Sequence, residues 1–272
     1  MDHAIFAQVT YTELVSWIGQ FIWPLFRVAA FLAAAPIFGE IGVSPMIKLS
    51  LAVLISVAIS PLVGAVPLVD LSSGAALGMI FEQIIIGTAL GMTMRLVFSA
   101  VSVAGELIGL QMGLSLAQVY DISIGGNASV ISKLLSTIAL LVFVAVNGHL
   151  LMVSGLAKTF AMVPIGGDHL PIDGVAHLLA WSGSIISSGL LLSMPMVVAL
   201  LAVNLIMGIM NRAAQQLSIF SIGFPITLGV SLLMLTILLP RLDYVLEASF
   251  LQGYEAMSRV AEGFSSGVIG KK

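Results

Sequence analysis

From Ala75 to Leu116 the chain runs forty-two residues without a proline. Helical throughout, that stretch would make a rod of roughly 63 Å, twice the thickness of a hydrocarbon core of about 30 Å. It must therefore break, or it does not follow a simple transmembrane path. Its apolar run is interrupted by Glu82 and Arg95. Thirteen residues separate them, about 20 Å along one helix, so their partners come from elsewhere in the chain or from another subunit. Gly87 and Gly91, then Gly105, Gly109 and Gly113, recur every four residues. On a helix each set lies on one face. A face without Cβ atoms lets another backbone approach closely.

The end of this stretch changes character. Asp121, Ser123, Gly125, Gly126 and Asn127 are turn formers. A polar interruption deep in apolar sequence is tolerated where protein buries it or where it lines a cavity. Two readings follow from the residues alone: an ordinary connection outside the membrane, which they favour, or a loop facing an internal passage. Composition points to an integral membrane protein or a piece of a very apolar assembly. Of 272 residues, 59% are hydrophobic and 8% charged, against about 25% charged in soluble domains. The net charge of −3 and the absence of a Lys/Arg cluster beyond Lys271-Lys272 give nucleic-acid binding no support. There is no cysteine, hence no thiolate chemistry. The four histidines, 3, 149, 169 and 177, lack metal-ligand spacing. The first residues, with Asp2 and Glu13 and no Lys or Arg, lack the positive region of a signal peptide.

Taken in order, Leu14 to Ala35 is the first apolar span, with a kink expected at Trp23-Pro24. Arg27 lies inside it, one turn from both Trp23 and Phe31, whose rings could flank the guanidinium. An arginine inside an apolar span either pairs with a carboxylate or snorkels to an interface; both stay open. Pro36-Ile-Phe-Gly39 begins a turn, and the next span runs from Pro45 to about Val63. Ser129 to Phe160 is a second long stretch with Asn147-Gly148-His149 in its middle. His149 reads as a structural hydrogen-bonding group rather than a proton shuttle. Pro164 to Pro171 is a polar loop. Val175 to Asn211 follows, with Pro195 as a kink or boundary, then the polar run Asn211 to Ser218 containing Arg212. Pro240 is expected to end the span Ile219 to Leu239. Beyond it Leu242, Leu246, Phe250, Tyr254, Met257 and Phe264 alternate with Arg241, Asp243, Glu247, Glu255, Arg259 and Glu262. That is an amphipathic helix of mixed charge, suited to partner packing more than to anionic lipid. Acid at the N-terminal end and base at the other point to an N-outside, C-inside orientation.

The sequence contains no phosphate-binding Walker pattern, no HExxH, no GxSxG and no carboxylate cluster on one helix. Nothing supports an enzyme or a cofactor. A self-contained transporter or channel and a subunit of a larger membrane complex remain. Repeat-built transporters place ionisable groups at corresponding positions in two halves. Here Arg27, Glu82, Arg95 and Glu106 all fall in the first half, which favours the subunit.

Asn204-Leu-Ile-Met-Gly-Ile-Met-Asn-Arg-Ala-Ala-Gln-Gln-Leu-Ser-Ile-Phe-Ser-Ile-Gly-Phe-Pro-Ile-Thr-Leu228 resembles the signature of the FliR family of flagellar export-gate proteins (FliR/SctT, type III secretion). Gly105-Glu-Leu-Ile-Gly-Leu-Gln-Met-Gly-Leu-Ser115, Asn147-Gly-His149 and Pro36-Ile-Phe-Gly39 match it too. The resemblance spans essentially the whole chain. Injectisome relatives share the Arg-Ala-Ala element, whereas Ile222-Gly-Phe-Pro-Ile-Thr227 looks more flagellar. Gln215 and Ser218 stand where the family has proline and asparagine, and Ile122 where a proline follows the loop aspartate, so local turn geometry there is open to departure.

The resemblance implies an all-α protein of apolar helical hairpins. A FliP-like part would cover residues 1–192, a FliQ-like hairpin 193–240 and an amphipathic helix with tail 241–272. It implies assembly with FliP and FliQ into a helical ring in the bacterial inner membrane at the flagellar basal body, rising partly out of the bilayer. FlhB would wrap the cytoplasmic mouth, lipid would surround the base, and unfolded flagellar proteins would pass through the centre. The stretch from Gln111 to Ile122 would project into that lumen, which reverses the reading of this segment as a plain connection. Gln111, Met112, Gly113, Leu114, Ser115, Leu116, Val119 and Tyr120 are then the expected pore closure. Gly87, Gly91, Gly105, Gly109 and Gly113 are the expected close-packing positions. Arg27, Glu82, Arg95, Glu106 and Arg212 are the expected polar contacts between subunits.

Overall fold

The computed structural model describes residues 11–38, 44–64, 66–67, 69, 73–114, 129–166, 172–213 and 219–269. Among them there is helix and no strand, as expected of a chain whose backbone groups must be satisfied without water. Seven α-helices follow one another: α1 Tyr11–Ala34, α2 Pro45–Ile59, α3 Gly74–Gln111, α4 Val130–Ala145, α5 Gly148–Met162, α6 Ile172–Ala213 and α7 Ile219–Ile269. A short 3₁₀ turn, Ser60–Leu62, extends α2. Four helical segments are long and apolar enough to cross a membrane, or five if α4 and α5 act as one broken span.

The chain divides into two compact units: Met1–Arg95, His149–Ser182 and Gly253–Lys272, and then Leu96–Gly148 with Gly183–Gln252. In the first unit α1 lies on α3 through the glycine pair. A Cβ on Gly87 would overlap the Arg27 carbonyl, and one on Gly91 would lie 2.6 Å from the Phe31 carbonyl and 2.8 Å from the Ala34 Cβ. Around this seam Trp23, Phe31, Leu32, Ile86, Leu90 and Leu156 are fully buried. The Trp181 indole of α6 donates to the Thr93 carbonyl at 3.0 Å. The end of α7 closes the unit, with Gly263 against the backbone of Gly174 and Phe264 completely buried.

In the second unit the other glycine pair of α3 seats the start of α4. A Cβ on Gly105 would run into the backbone of Ser132, and one on Gly109 into the Ser129 hydroxyl. Serines line the same seam: Ser132 Oγ donates to the Ser102 carbonyl at 3.0 Å, and the Ser102 and Ser136 hydroxyls lie 3.0 Å apart. Phe98, Phe143 and Phe250 form an aromatic cluster with centroids 4.9–5.5 Å apart. From α6, Gly189 brings that helix onto the Ala100 carbonyl.

The structure departs from sequence expectation at the breaks. The long stretch from Ala75 stops at Gln111 rather than Leu116, because Gly113 turns left-handed at φ 78°. Gly113 is thus a helix terminator, not a packing surface; a Cβ there would meet only Phe224, at 3.9 Å. The 129–160 stretch is two helices, parted where Asn147 takes φ 57°, a conformation asparagine tolerates better than most residues. There the ring of Phe143 fills the space of a Gly148 Cβ. Prolines act oppositely. Pro24, Pro195, Pro225 and Pro240 all sit inside continuous helices. An internal proline forfeits one backbone hydrogen bond; a full break in an apolar surrounding would strand several. Consequently the expected divisions at 192/193 and 240/241 both fall within helices. The amphipathic pattern beyond residue 240 is reproduced: Leu242, Leu246, Phe250, Met257 and Phe264 are buried, and Arg241, Asp243, Glu247, Glu255, Arg259 and Glu262 exposed.

Replacing Gly91 by leucine drives a side chain into α1 backbone, so the yield of folded protein in detergent should fall about tenfold or more. Gly78→Ala, where a Cβ meets nothing within 4 Å, should leave it unchanged. Equal yields of monodisperse protein would show that α1 does not rest on this seam.

Candidate functional site

Two places concentrate polar chemistry within the apolar body. The first is Arg27. Its side chain is 0% exposed, so it neither snorkels nor reaches another subunit in this conformation. The guanidinium is held inside the chain by α3 and the end of α5. Nε donates to Gln83 Oε1 at 2.8 Å, Nη1 to the Thr159 carbonyl at 3.2 Å and hydroxyl at 3.4 Å, and Nη2 to the Val163 carbonyl at 2.9 Å. Its plane lies 4.3 Å from the centroid of Phe160. The stacking ring is therefore on α5, not Trp23 or Phe31. Among the described residues no carboxylate hydrogen-bonds to the guanidinium. Instead the cation meets carbonyls at a helix C-terminus, where unsatisfied acceptors and the negative end of the helix dipole both favour it. Glu82, 7% exposed, interacts with the Arg27 charge. Both residues expected to bridge subunits are thus engaged within the chain.

Gln83, Thr159 and Phe160 were not singled out from sequence. Gln83 carried a signal, as a polar amide beside Glu82 in an apolar helix. The two backbone carbonyls carried none.

The second place is the end of α3, at the root of the expected pore segment. Its last four carbonyls are all accounted for. Ile108 O accepts from Met112 N at 3.0 Å, Leu110 O from Gly113 N at 3.1 Å and Gly109 O from Leu114 N at 3.2 Å. This is the six-to-one and five-to-two pairing of a glycine-terminated helix. The fourth, Gln111 O, accepts from Asn204 Nδ2 of α6 at 3.3 Å. Met112 is 1% exposed, so within this chain its side chain is packed at the root. Gln111, Gly113 and Leu114 are half-buried. Ser115, Leu116, Val119 and Tyr120 lie outside the described residues.

Of the remaining charges, Arg95, Glu106 and Arg212 are exposed on their helices. His149 has a buried Nδ1 without a hydrogen-bond partner among the described residues. No group of three metal-ligating side chains occurs among them.

The sequence pattern of the bacterial export proteins, family 1, matches residues 18–253. The chain belongs to this family. Among curated relatives, the flagellar biosynthetic protein FliR of Escherichia coli (strain K12) is 41% identical over 253 residues, covering 93% of this chain and 97% of its own length. FliR of Pectobacterium carotovorum is 38% identical over 256 residues, with the same coverages. FliR of Bacillus subtilis (strain 168) is 28% identical over 252 residues, 90% of this chain and 95% of that protein. The export-family match takes in both the Arg27 cradle and the α3 terminus.

The cradle makes a direct forecast. Arg27→Met leaves Gln83 Oε1 and the Val163 carbonyl without their donor and Glu82 without its cation, while the Thr159 carbonyl keeps the bond from Val163 N, a loss of about 3–5 kcal/mol. Arg27→Lys keeps the charge but not the fork and should fall between. Unfolding midpoints in detergent should rank arginine above lysine above methionine; a methionine variant as stable as the parent protein would remove the cradle from the fold's energetics.

Proposed function

We propose that this protein is the FliR-type subunit of a flagellar type III protein export gate, in the bacterial inner membrane at the flagellar basal body. It would assemble with FliP and FliQ homologues into the central channel for unfolded flagellar proteins, beside FlhB. The observation that carries this reading is similarity along nearly the full length to proteins named as flagellar FliR. The flagellar names of these relatives favour a flagellar over an injectisome setting.

The surface of the molecule supports a subunit role. Only 17% of the most apolar 18-residue window within Ile172–Met210 of α6 and 22% of that within Gly223–Ser265 of α7 are buried within the chain. Leu191, Val198, Leu205 and Ile209 of α6 stand exposed, and so do Leu232, Leu233 and Ile237 of α7. Lipid or apolar partner helices must cover such faces. Exposed Arg95, Glu106 and Arg212 would make polar contacts to those partners. The segment from Gln111 to Ile122 would close the pore by apolar contact and leave the chemistry of translocation to no residue of this chain. The half-buried Gln111 and Leu114 side of the root would face that closure.

Co-expression tests the reading. Alone in detergent the chain should aggregate or be degraded, and FliP and FliQ homologues should rescue it as a complex. In the assembled gate, deletion of residues 115–120 should keep complex yield and raise permeability to small ions. Without the FliP homologue the same deletion should cause no leak. A thermally stable monomer indifferent to both partners would sink the subunit assignment, and an assembled deletion complex without conductance would return the segment to a plain connection.

A further inference from the structure

We infer that Asn204 of α6 is a positioning residue for the pore closure, holding the root Gln111–Leu114 in its seated conformation. The inference rests on the proposed reading of the segment that follows this root as a closure.

The argument is one of completeness at the end of α3. A helix C-terminus presents four carbonyls with no partner inside the helix. The backbone of Met112, Gly113 and Leu114 serves three of them. Among the described residues no backbone donor takes Gln111 O; the Asn204 amide does, from ninety-three residues away in sequence. Asn204 is also the one polar side chain between Ser193 and Asn211, on an α6 face where Leu201, Leu205 and Ile206 are exposed. An amide in that position has a cost in an apolar medium unless it bonds. Here the bond it makes is to the last turn before the expected closure. Two further anchors act at the same root: the Met112 side chain, 1% exposed, and Gly113 with its left-handed φ of 78°. Met112 fixes the root by burial and Gly113 by backbone conformation. Asn204 ties it to α6 through a single breakable hydrogen bond, so a displacement of α6 would be felt at Gln111.

The near-isosteric Asn204→Asp exchanges the donor for an acceptor facing the Gln111 carbonyl, and Asn204→Leu removes the donor without adding charge. One hydrogen bond of ordinary strength shifts a two-state equilibrium about three- to tenfold. In the complete gate both variants should raise resting ion leak by about that factor at unchanged complex yield. The chain has no cysteine, so a single Leu114→Cys reports the root directly: its modification by a water-soluble thiol reagent should quicken in both backgrounds. Should Asn204→Asp assemble poorly, Asn204→Leu and the thiol rate carry the test. Deletion of 115–120 is run beside them. A leak from the deletion, with leak and thiol rate unchanged in both Asn204 variants, overturns the tether and leaves the closure standing. A deletion that does not leak overturns the closure reading and the gating role with it, and the thiol rate then decides whether Asn204 holds the root at all.

Discussion

The described structure depends on α3 offering bare backbone to its neighbours. In water, helices associate because apolar side chains escape the solvent; in an apolar medium that gain is absent, and close van der Waals contact must replace it. Two glycine pairs supply it. Gly87 and Gly91 admit α1 to within contact of the Arg27 and Phe31 carbonyls, and Gly105 and Gly109 admit the first turn of α4. The second seam adds hydroxyls, Ser102, Ser132 and Ser136, which bond across the short gap. Serine is apt there because its side chain is small enough for the spacing and its oxygen finds a carbonyl at hand.

Close approach then decides where charge can be placed. With α1 lying against α3, Arg27 is shut away from any aqueous boundary and must be satisfied by what its neighbours expose. A carboxylate partner alone would require two desolvated ions in one site, whose mutual attraction need not offset the cost. Spreading the guanidinium over an amide, two helix-end carbonyls and an aromatic face leaves most of its donors bonded while using acceptors that the end of α5 had to satisfy anyway. Glu82, itself buried, lies on the same helix one residue before Gln83. The same economy operates at the end of α3, where Asn204 meets the one carbonyl the glycine turn leaves over.

How much of this was legible in the chain depends on range. The glycine pairs Gly87/Gly91 and Gly105/Gly109 and the amphipathic run from Leu242 to Phe264 follow from helical periodicity, and both appear in the structure as read. Arg27 announced itself as a buried charge in need of partners, but Thr159 and Val163 serve through main-chain carbonyls, which every residue has and which no sequence marks. Helix ends were read with the wrong weights. Pro195 and Pro240 suggest breaks because, in water, a broken helix can bond to solvent; in this apolar chain the helices run on through both. Gly113 and Asn147 look like packing or polar residues, yet they stop their helices by taking positive φ.

Asn204 shows why the remaining part resisted sequence reading. It lies within the stretch that carries the family resemblance, and as a lone amide among leucines and methionines it was visible. Its meaning was not, because the acceptor is a backbone oxygen ninety-three positions earlier and only the fold brings the two together. The same consideration separates the two ends of the expected pore closure. At its root the Gln111 carbonyl has a donor from α6 and Met112 is buried, so moving Gln111–Leu114 breaks local contacts within this chain. Beyond the root, what holds a closure shut must come from contact with whatever surrounds the lumen. On the proposed reading, a gate built this way would have a stem whose position answers to α6 and a tip whose position answers to partners and cargo. Motion of α6 and passage of substrate would then be physically distinct inputs to one segment, acting at opposite ends of it.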